Sequence, residues 1–247
     1  MNYSILLPSK PYLEHEDEKR GEIVIEGLHP GYGITLGNAL RRVLFSSLPG
    51  AAITRVKIDG ASHEFTTISG VLEDVLLILL NLKQLRFKVF TEGPEKISFE
   101  TRGVKDITAG DIKTSSSLEI VNKDLHIATL TKKTASLAFE LTVERGVGYR
   151  SKEVLESERV ESGVIVLDAI FTPVRKVSYN VENMRVGTET DYNRLIFQIE
   201  TDGTISPSEA LHKASNILKD HFEKVSAIPV AKTEVGAEEK PKKKKKK

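Results

Sequence analysis

Short segments in which apolar and polar side chains alternate recur along most of the chain. Nine of them are rich in Val, Ile, Phe or Thr and bounded by Gly, Asp, Asn or Pro, and we predict them to be β-strands: YSILLP, GEIVIEGL, AAITRVKIDG, QLRFKVF, EKISFE, LHIATL, ASLAFELTVE, VIVLDAIF and RLIFQIETDG. Alternation with a period of two lets each strand bury one face. Because the strands are many and the helical segments few and irregularly placed, the pattern predicts an α+β fold and not a wound α/β fold.

Three segments have helical periodicity instead. The first covers 35–48 and is stopped by a Pro–Gly pair. The second runs from about 70 to 82, with Ser69 as its predicted cap, and its side chains are apolar nearly all round, which predicts burial on more than one side. The third covers 206–225 and begins with SPSE, where Ser caps, Pro takes the first helical position and Glu completes a capping box.

The length and composition exclude several classes of protein. The chain has 247 residues, enough for one large or two modest domains with a hydrophobic core. It contains no cysteine, so it has no disulfide framework and fits a reducing compartment. The N-terminus lacks the apolar region of a signal peptide, and the longest apolar run, VLLILL, is far too short to cross a bilayer. These features predict a cytoplasmic protein without a membrane partner.

Charge is distributed unevenly along the chain. The whole sequence carries a net charge of +1, whereas the segment 229–247 contains eight lysines and three glutamates and carries +5, which leaves −4 on the remainder. This tail is of low complexity, and we predict that it is disordered. The acidic remainder is not expected to grip nucleic acid by itself, because nonspecific binding requires clustered Lys and Arg.

The stretch GYGITLGNALRRVLFSSLPG (31–50) raises the possibility of a phosphate-binding loop. Its glycines have the spacing G-x-G-x-x-x-G, one residue longer than the dinucleotide fingerprint, and no Gly-Lys-Ser/Thr follows. A nucleotide-binding enzyme that uses Gly31–Gly37 is therefore a minor alternative. The simpler interpretation is that Gly31 and Gly33 permit the turn into the helix and that Gly37 allows a close backbone approach.

The helical wheel of the same stretch separates two faces at about 100° per residue. One arc contains Leu36, Ala39, Leu40, Val43, Leu44 and Ser47, and the opposite side contains Asn38, Arg41, Arg42 and Phe45. A large aromatic residue beside two guanidinium groups is typical of interface hot spots, although contact of Phe45 with a second domain of the same chain is an equal alternative. The helix at 206–225 also has a broad apolar stripe, which either folds back on the sheet or packs against another chain.

Residues for catalysis or metal binding are not grouped anywhere in the sequence. The six histidines are scattered without metal-ligand spacing, and neither a D-x-D pair nor a G-x-S-x-G elbow occurs. We therefore predict no catalytic residue, no metal and no cofactor on this chain, and a function in binding.

Several long segments resemble the alpha subunit of bacterial RNA polymerase. They are GYGITLGNALRRVLFSSLPGAAITRVKIDG, HEFTTISGVLEDV, ILLNLKQL, LDAIFTPVRKVSYNVENMRVGTETDYNRL and IETDGTISPSEALHKASNIL. The resemblance covers about 3–228 and is loosest over 95–165. It departs from the family at Phe45, Val147 and Asn193, where Leu, a basic residue and Asp are usual.

The resemblance implies a discontinuous dimerisation domain, 1–50 plus 166–228, with a mainly-β second domain, 51–165, inserted in it. It implies a homodimer that nucleates assembly of the β and β′ subunits, within a nucleotidyltransferase core enzyme that also contains omega. The implied homodimer seam consists of Tyr32, Leu36, Ala39, Val43, Ser47, Leu211, Ala214, Leu218 and Phe222. The implied large-subunit surface consists of Asn38, Arg41, Arg42, Phe45, Lys83, Asp168, Val174, Lys176 and Val177, with Arg42 at the position of the family's β-assembly arginine.

Family members usually continue into a helical domain that binds promoter DNA, whereas this sequence ends in lysines. DNA contact is therefore expected only through the assembled complex or weakly through the tail. A nonspecific DNA-binding protein that acts through Lys242–Lys247 is the remaining alternative.

Overall fold

A computed structural model describes residues 5–157, 161 and 163–229. The strands are β1 Tyr12–Glu16, β2 Arg20–Leu28, β3 Pro49–Ile58, β4 Phe87–Val89, β5 Glu95–Arg102, β6 Lys105–Thr108, β7 Leu118–Ile120, β8 His126–Leu130, β9 Ser136–Val147, β10 Tyr149–Arg150, β11 Val164–Val166, β12 Ala169–Ile170, β13 Val174–Val186 and β14 Glu189–Thr201. The helices are α1 Tyr32–Ser46, α2 Val75–Lys83, α3 Lys152–Glu156 and α4 Pro207–Ser226, with a 3-10 turn at Ala109–Asp111. Antiparallel sheets with few helices confirm the predicted α+β class.

The first sheet has the strand order β1-β2-β14-β13 and is antiparallel throughout. Alternate residues of β14, Leu195, Phe197 and Ile199, are buried on the face that α1 and α4 cover. Ser206 caps α4 by accepting a hydrogen bond from the Glu209 N–H at 3.2 Å, with proline next to it, so the predicted helix start is confirmed. The sheet and the two helices enclose one apolar core, which we call the first core.

The second sheet has the strand order β11-β3-β9-β5, and the small ribbons β4-β7 and β6-β8 lie around the same core. Helix α2 contributes Val75, Ile78, Leu79 and Leu82 to this second core. Strand β3 begins directly after α1, and β11 returns the chain to β3 before it crosses to β13. A small third cluster, which includes Phe171 of this crossing segment, lies beside them.

Helix α2 differs from its prediction in two ways. It begins at Val75 and not near 70, because the Asp74 side chain, and not Ser69, accepts the N-capping hydrogen bond from the Leu77 N–H at 2.8 Å. It is also buried on one side only, since Leu76, Leu77 and Leu80 are exposed. Because the sequence of α2 is apolar almost throughout, it does not indicate which side of the helix is buried.

Some predicted strand boundaries were also wrong. Residues 5–8 of YSILLP form no strand, and its first two residues lie outside the described part of the chain. VIVLDAIF is divided into β11 and β12 around Asp168. The long edge strand β13 was not predicted, because most of its residues are exposed or half-buried and its sequence shows no clean alternation.

Two further features concern the ends and the environment of the chain. The predicted basic tail lies outside the described residues from 230 onward. In the described ranges, no helix combines the length and the apolar character needed to cross a membrane.

Candidate protein-interaction surfaces

Helix α1 has one face locked against the first sheet. Gly33, Gly37, Leu40 and Leu44 are its buried residues. A Cβ atom at Gly37 would lie 2.7 Å from the ring of Tyr179, and one at Gly33 would lie 2.7 Å from Val181 Cγ1. The two glycines therefore let the helix axis approach the sheet more closely than any side chain would allow.

The same contacts remove the nucleotide-binding alternative. Gly33 and Gly37 face strands β13 and β14, so they cannot form a cradle open to solvent. The Asn193 Oδ1 atom accepts hydrogen bonds from the Gly31 N–H at 2.9 Å and the Gly33 N–H at 3.3 Å. Amide groups that a phosphate would need at this helix N-terminus are thus already taken by the protein itself.

The opposite face of α1 presents the predicted polar and aromatic group. Asn38, Arg41 and Arg42 are exposed, and Phe45 retains 36% of its accessible surface. Among the residues that the structure describes, neither guanidinium group takes part in an ion pair or a side-chain hydrogen bond. Two uncompensated cations beside a partly exposed aromatic ring form a surface well suited to a protein partner.

Two residues predicted to lie on the same surface are brought into direct contact. Lys83, at the end of α2, places its Nζ atom 2.5 Å from Asp168 Oδ2, in the segment that crosses between the two sheets. Both side chains are about one third exposed. The charges of Lys83 and Asp168 therefore compensate each other, and both side chains remain accessible to solvent. Lys176 of β13 is also exposed.

The residues predicted for the homodimer seam divide into three groups, one of which is the buried pair Leu211 and Ala214. Tyr32 and Phe222 are exposed, and five others are half-buried: Leu36, Ala39, Val43, Ser47 and Leu218. Of these, Leu36, Val43 and Leu218 pack against the first core. At the end of α4 and just after it, Phe222, Val225 and Ile228 keep 61%, 68% and 70% of their accessible surface. The apolar stripe of α4 thus folds back on the sheet in its first half and remains uncovered in its second.

Four of the predicted interface residues require correction. Leu211 and Ala214 of α4, and Val174 and Val177 of β13, are all at least 93% buried within this chain. Their side chains pack on the first core, so a partner cannot reach them without unfolding it. Helical periodicity marked Leu211 and Ala214 as apolar but could not tell which apolar partner covers them.

Sequence reasoning missed the role of the acidic residues before α2. Glu73 Oε2 accepts a hydrogen bond from the Thr129 N–H at 2.7 Å, and its Oε1 atom lies 2.9 Å from His126 Nε2. Burial opposes ionisation of Glu73, but these hydrogen bonds outweigh it and hold its pKa below the usual value. The Glu73 carboxylate thus connects the start of α2 to β8. The adjacent Glu–Asp pair in the sequence gives no sign of this contact.

The described residues contain no group of three or more His, Asp or Glu side chains that could hold a metal ion.

Comparison with known proteins gives a consistent set of relatives. Residues 56–172 match the family model described as the RNA polymerase Rpb3/RpoA insert domain. The DNA-directed RNA polymerase subunit alpha of Symbiobacterium thermophilum is 49% identical over 208 residues, which cover 84% of this chain and 66% of that protein. The proteins of the same name from Oceanobacillus iheyensis and Clostridium botulinum (strain Eklund 17B) are 47% and 48% identical, over 86% of this chain and 69% of each relative. The chain therefore spans about two thirds of the length of these relatives.

Proposed function

Because the chain belongs to the family of DNA-directed RNA polymerase alpha subunits, we propose that it is a homodimeric scaffold on which the β and β′ subunits of the polymerase assemble. The chain's own contribution is binding, and the nucleotidyl transfer of transcription belongs to the large subunits. The observation that carries the proposal is the division of α1 into a locked glycine–leucine face and an exposed Asn38–Arg41–Arg42–Phe45 face.

We assign the two cores to two domains. The first sheet with α1 and α4 is the dimerisation domain, from 1–50 and 166–228, and the second sheet with α2 is the inserted domain, 51–165. The separate apolar clusters support this division, since each sheet is completed by its own helices.

The homodimer forms through the uncovered end of α4 and the neighbouring part of α1. In a two-fold dimer the same patch is used twice, so Phe222, Leu218 and Tyr32 meet the equivalent residues of a second copy. Complete burial of an exposed Phe, Val or Ile side chain stabilises a complex by about 1.5–3 kcal/mol each. Phe222, Val225 and Ile228, at and just after the end of α4, therefore contribute apolar surface to the interface from both chains.

The large-subunit surface combines residues from both domains. Arg42 and its neighbours come from α1, whereas Lys83 comes from the end of α2 and Asp168 from the crossing segment. Because Arg42 has no carboxylate partner within the described chain, a carboxylate or carbonyl group of the β subunit can bind it without displacing an internal ion pair.

The proposal is tested by replacing Arg42 with Ala and using Arg185→Ala, an exposed arginine of β13, as the matched control. We expect the Arg42→Ala protein to remain a dimer in light scattering but to capture the co-expressed β subunit at least tenfold less well. The control should behave as the wild type. A monomeric wild-type protein, or normal assembly of the Arg42→Ala protein, would refute the scaffold mechanism.

A second variant separates dimerisation from capture. Phe222→Asp places a charge on the apolar end of α4, and we expect it to yield monomers without loss of the helical circular dichroism signal. Removal of residues 230–247 tests the DNA-binding alternative. We expect assembly with the large subunits to survive this deletion. If the protein instead acts by binding DNA through its basic tail, the deletion should abolish DNA binding at low salt.

A further inference from the structure

A largely buried ion pair joins the two domains close to the proposed large-subunit surface. Arg86 follows α2 and lies between Leu85 and Phe87 of the second core, in the inserted domain. Asp202 follows β14, in the dimerisation domain. The Arg86 Nε atom lies 3.6 Å from Asp202 Oδ2, and only 12% and 6% of the two side chains are exposed. Charges this deeply buried are retained only where an opposite charge or hydrogen bonds compensate them.

Both partners are fixed by further hydrogen bonds to their own domains. Arg86 Nη1 donates to the carbonyl oxygens of Lys83 at 3.0 Å and Leu85 at 2.7 Å, so the guanidinium group also neutralises the negative end of α2. Asp202 Oδ1 accepts from the N–H and the hydroxyl group of Thr204, at 2.9 and 2.6 Å. A shift of one partner is therefore transmitted directly to a defined backbone segment of its domain.

The charge balance around the pair favours a lasting ionic contact. Burial and, to a smaller extent, the nearby Arg175 lower the pKa of Arg86, Asp202 raises it, and the net result is a pKa of about 10. Arg86 is thus protonated at neutral pH, and it lies between the opposite charge of Asp202 and the like charge of Arg175. Loss of Asp202 would leave two guanidinium groups that repel each other at the domain boundary.

The remaining packing between the domains is incomplete. A crevice of about 240 Å³ separates them beside the ion pair, and its walls include Phe87 and Arg145 of the inserted domain and Ile205 and Lys213 of the dimerisation domain. Domains that meet across an incompletely packed boundary are expected to move relative to one another unless specific contacts hold them. The Arg86–Asp202 pair is such a contact.

We propose that the Arg86–Asp202 pair is a positioning device that sets the orientation of the inserted domain. The pair acts through the Lys83 carbonyl and thereby holds Lys83 in the correct place relative to Arg42 of α1. The two residues need not touch the large subunits themselves. This inference rests on the proposed function, because the surface that it aligns is the proposed large-subunit surface.

The absence of native cysteine makes the orientation directly measurable. Cysteines introduced at Val104, in the inserted domain, and Lys219, on α4, are both exposed and accept spin labels. Labelled chains are diluted with unlabelled chains so that distances within one chain are recorded by pulsed electron paramagnetic resonance. The test variant is Asp202→Asn, which keeps the shape of the side chain and can retain the Thr204 bonds. Arg102→Met, which removes an exposed ion pair with Glu100 inside the inserted domain, is the matched control.

We expect a single narrow distance distribution for the wild type and the control, and a shifted or broadened one for Asp202→Asn. Capture of the β subunit should fall about tenfold in Asp202→Asn, while light scattering still reports a dimer. Arg86→Met should reproduce both effects, and Arg86→Lys, which restores a cation, should recover most of the capture.

The outcomes distinguish this inference from the proposed function. An unchanged distance distribution in Asp202→Asn would overturn the positioning role, even if capture fell. Failure of Arg86→Lys to improve on Arg86→Met would also overturn it, because a structural loss alone would not depend on the charge. The distances are measured without large subunits, so normal capture by Arg42→Ala would refute the scaffold function while leaving the orientation result intact.

Discussion

Gly50 lies where the two domains meet, and its replacement by Ala should be among the most destabilising single-methyl changes in this protein. A Cβ atom built at Gly50 would lie 1.8 Å from the carbonyl oxygen of Phe171. The backbone of Gly50 is not in the left-handed region, so the effect of Ala there is steric and not conformational. Real Cβ atoms essentially never approach closer than 3.0 Å, and β3 and the crossing segment would have to separate by at least 3.0 − 1.8 = 1.2 Å.

No side-chain rotation can relieve this contact, because the obstructing atom belongs to the backbone. Phe171 itself is 2% exposed and its ring packs on Gly146, so the segment has no free space to enter. Overpacking of this kind costs about 3 kcal/mol or more. For a protein of this size each kcal/mol lowers Tm by about 2–4 °C, which predicts a decrease of roughly 6–12 °C.

Thermal unfolding followed by circular dichroism measures the change, with Gly93→Ala as the control. Gly93 is also outside the left-handed region and a Cβ atom there meets nothing within 4 Å. We expect the control to unfold within about 1 °C of the wild type. Equal Tm values for Gly50→Ala and Gly93→Ala would show that the backbone at the domain boundary can shift at little energetic cost. That result would contradict the argument from close packing.

Three other changes have defined outcomes. Glu73→Gln should lower the free energy of unfolding by about 1–2 kcal/mol at neutral pH. Because the hydrogen bonds from His126 and Thr129 lower the pKa of Glu73 in the folded state, this difference from the wild type should be complete above the unfolded-state pKa of 4.5 and should shrink as the pH falls through the folded-state pKa. Denaturant titration at several pH values measures the difference. Ser206→Ala removes the N-cap of α4 and should cost about 1 kcal/mol, seen as a decrease of about 2–4 °C in Tm, whereas an unchanged Tm would show that the cap contributes nothing. Lys83→Ala should weaken capture of the β subunit without altering the dimer in light scattering, and full capture would remove Lys83 from the proposed surface.

Local sequence signals were sufficient to predict the helices and strands whose formation depends on neighbouring residues. The SPSE start of α4 was predicted correctly because a capping serine and a proline act within one turn. The central strands β9 and β14 were predicted because each buries one face and alternates accordingly, whereas β2 and β3 were predicted from short runs rich in Val, Ile or Thr, three consecutive residues of which are buried in each strand. The edge strand β13 was missed, since most of its residues are exposed or half-buried and give no clean alternation.

The interaction surfaces were only partly predictable for a related reason. Periodicity correctly separated the two faces of α1, because the polar side of a helix is visible in its sequence. It could not separate Leu211, which is buried on the sheet, from Phe222, which is exposed on the same helical stripe. That distinction depends on which part of α4 the sheet covers, which no property of the helix determines.

The sequence by itself therefore determined the α+β class, the helix α1 with its two faces and, through its resemblance to known proteins, the family. Only the tertiary structure decided that Gly33 and Gly37 face the sheet and not a phosphate, that Lys83 meets Asp168, and that Arg86 meets Asp202 across the domain boundary. The physical reason is the range of the interactions. Propensity, capping and periodicity act within a few residues, whereas an ion pair between residues more than one hundred positions apart exists only after both sheets have folded and packed together.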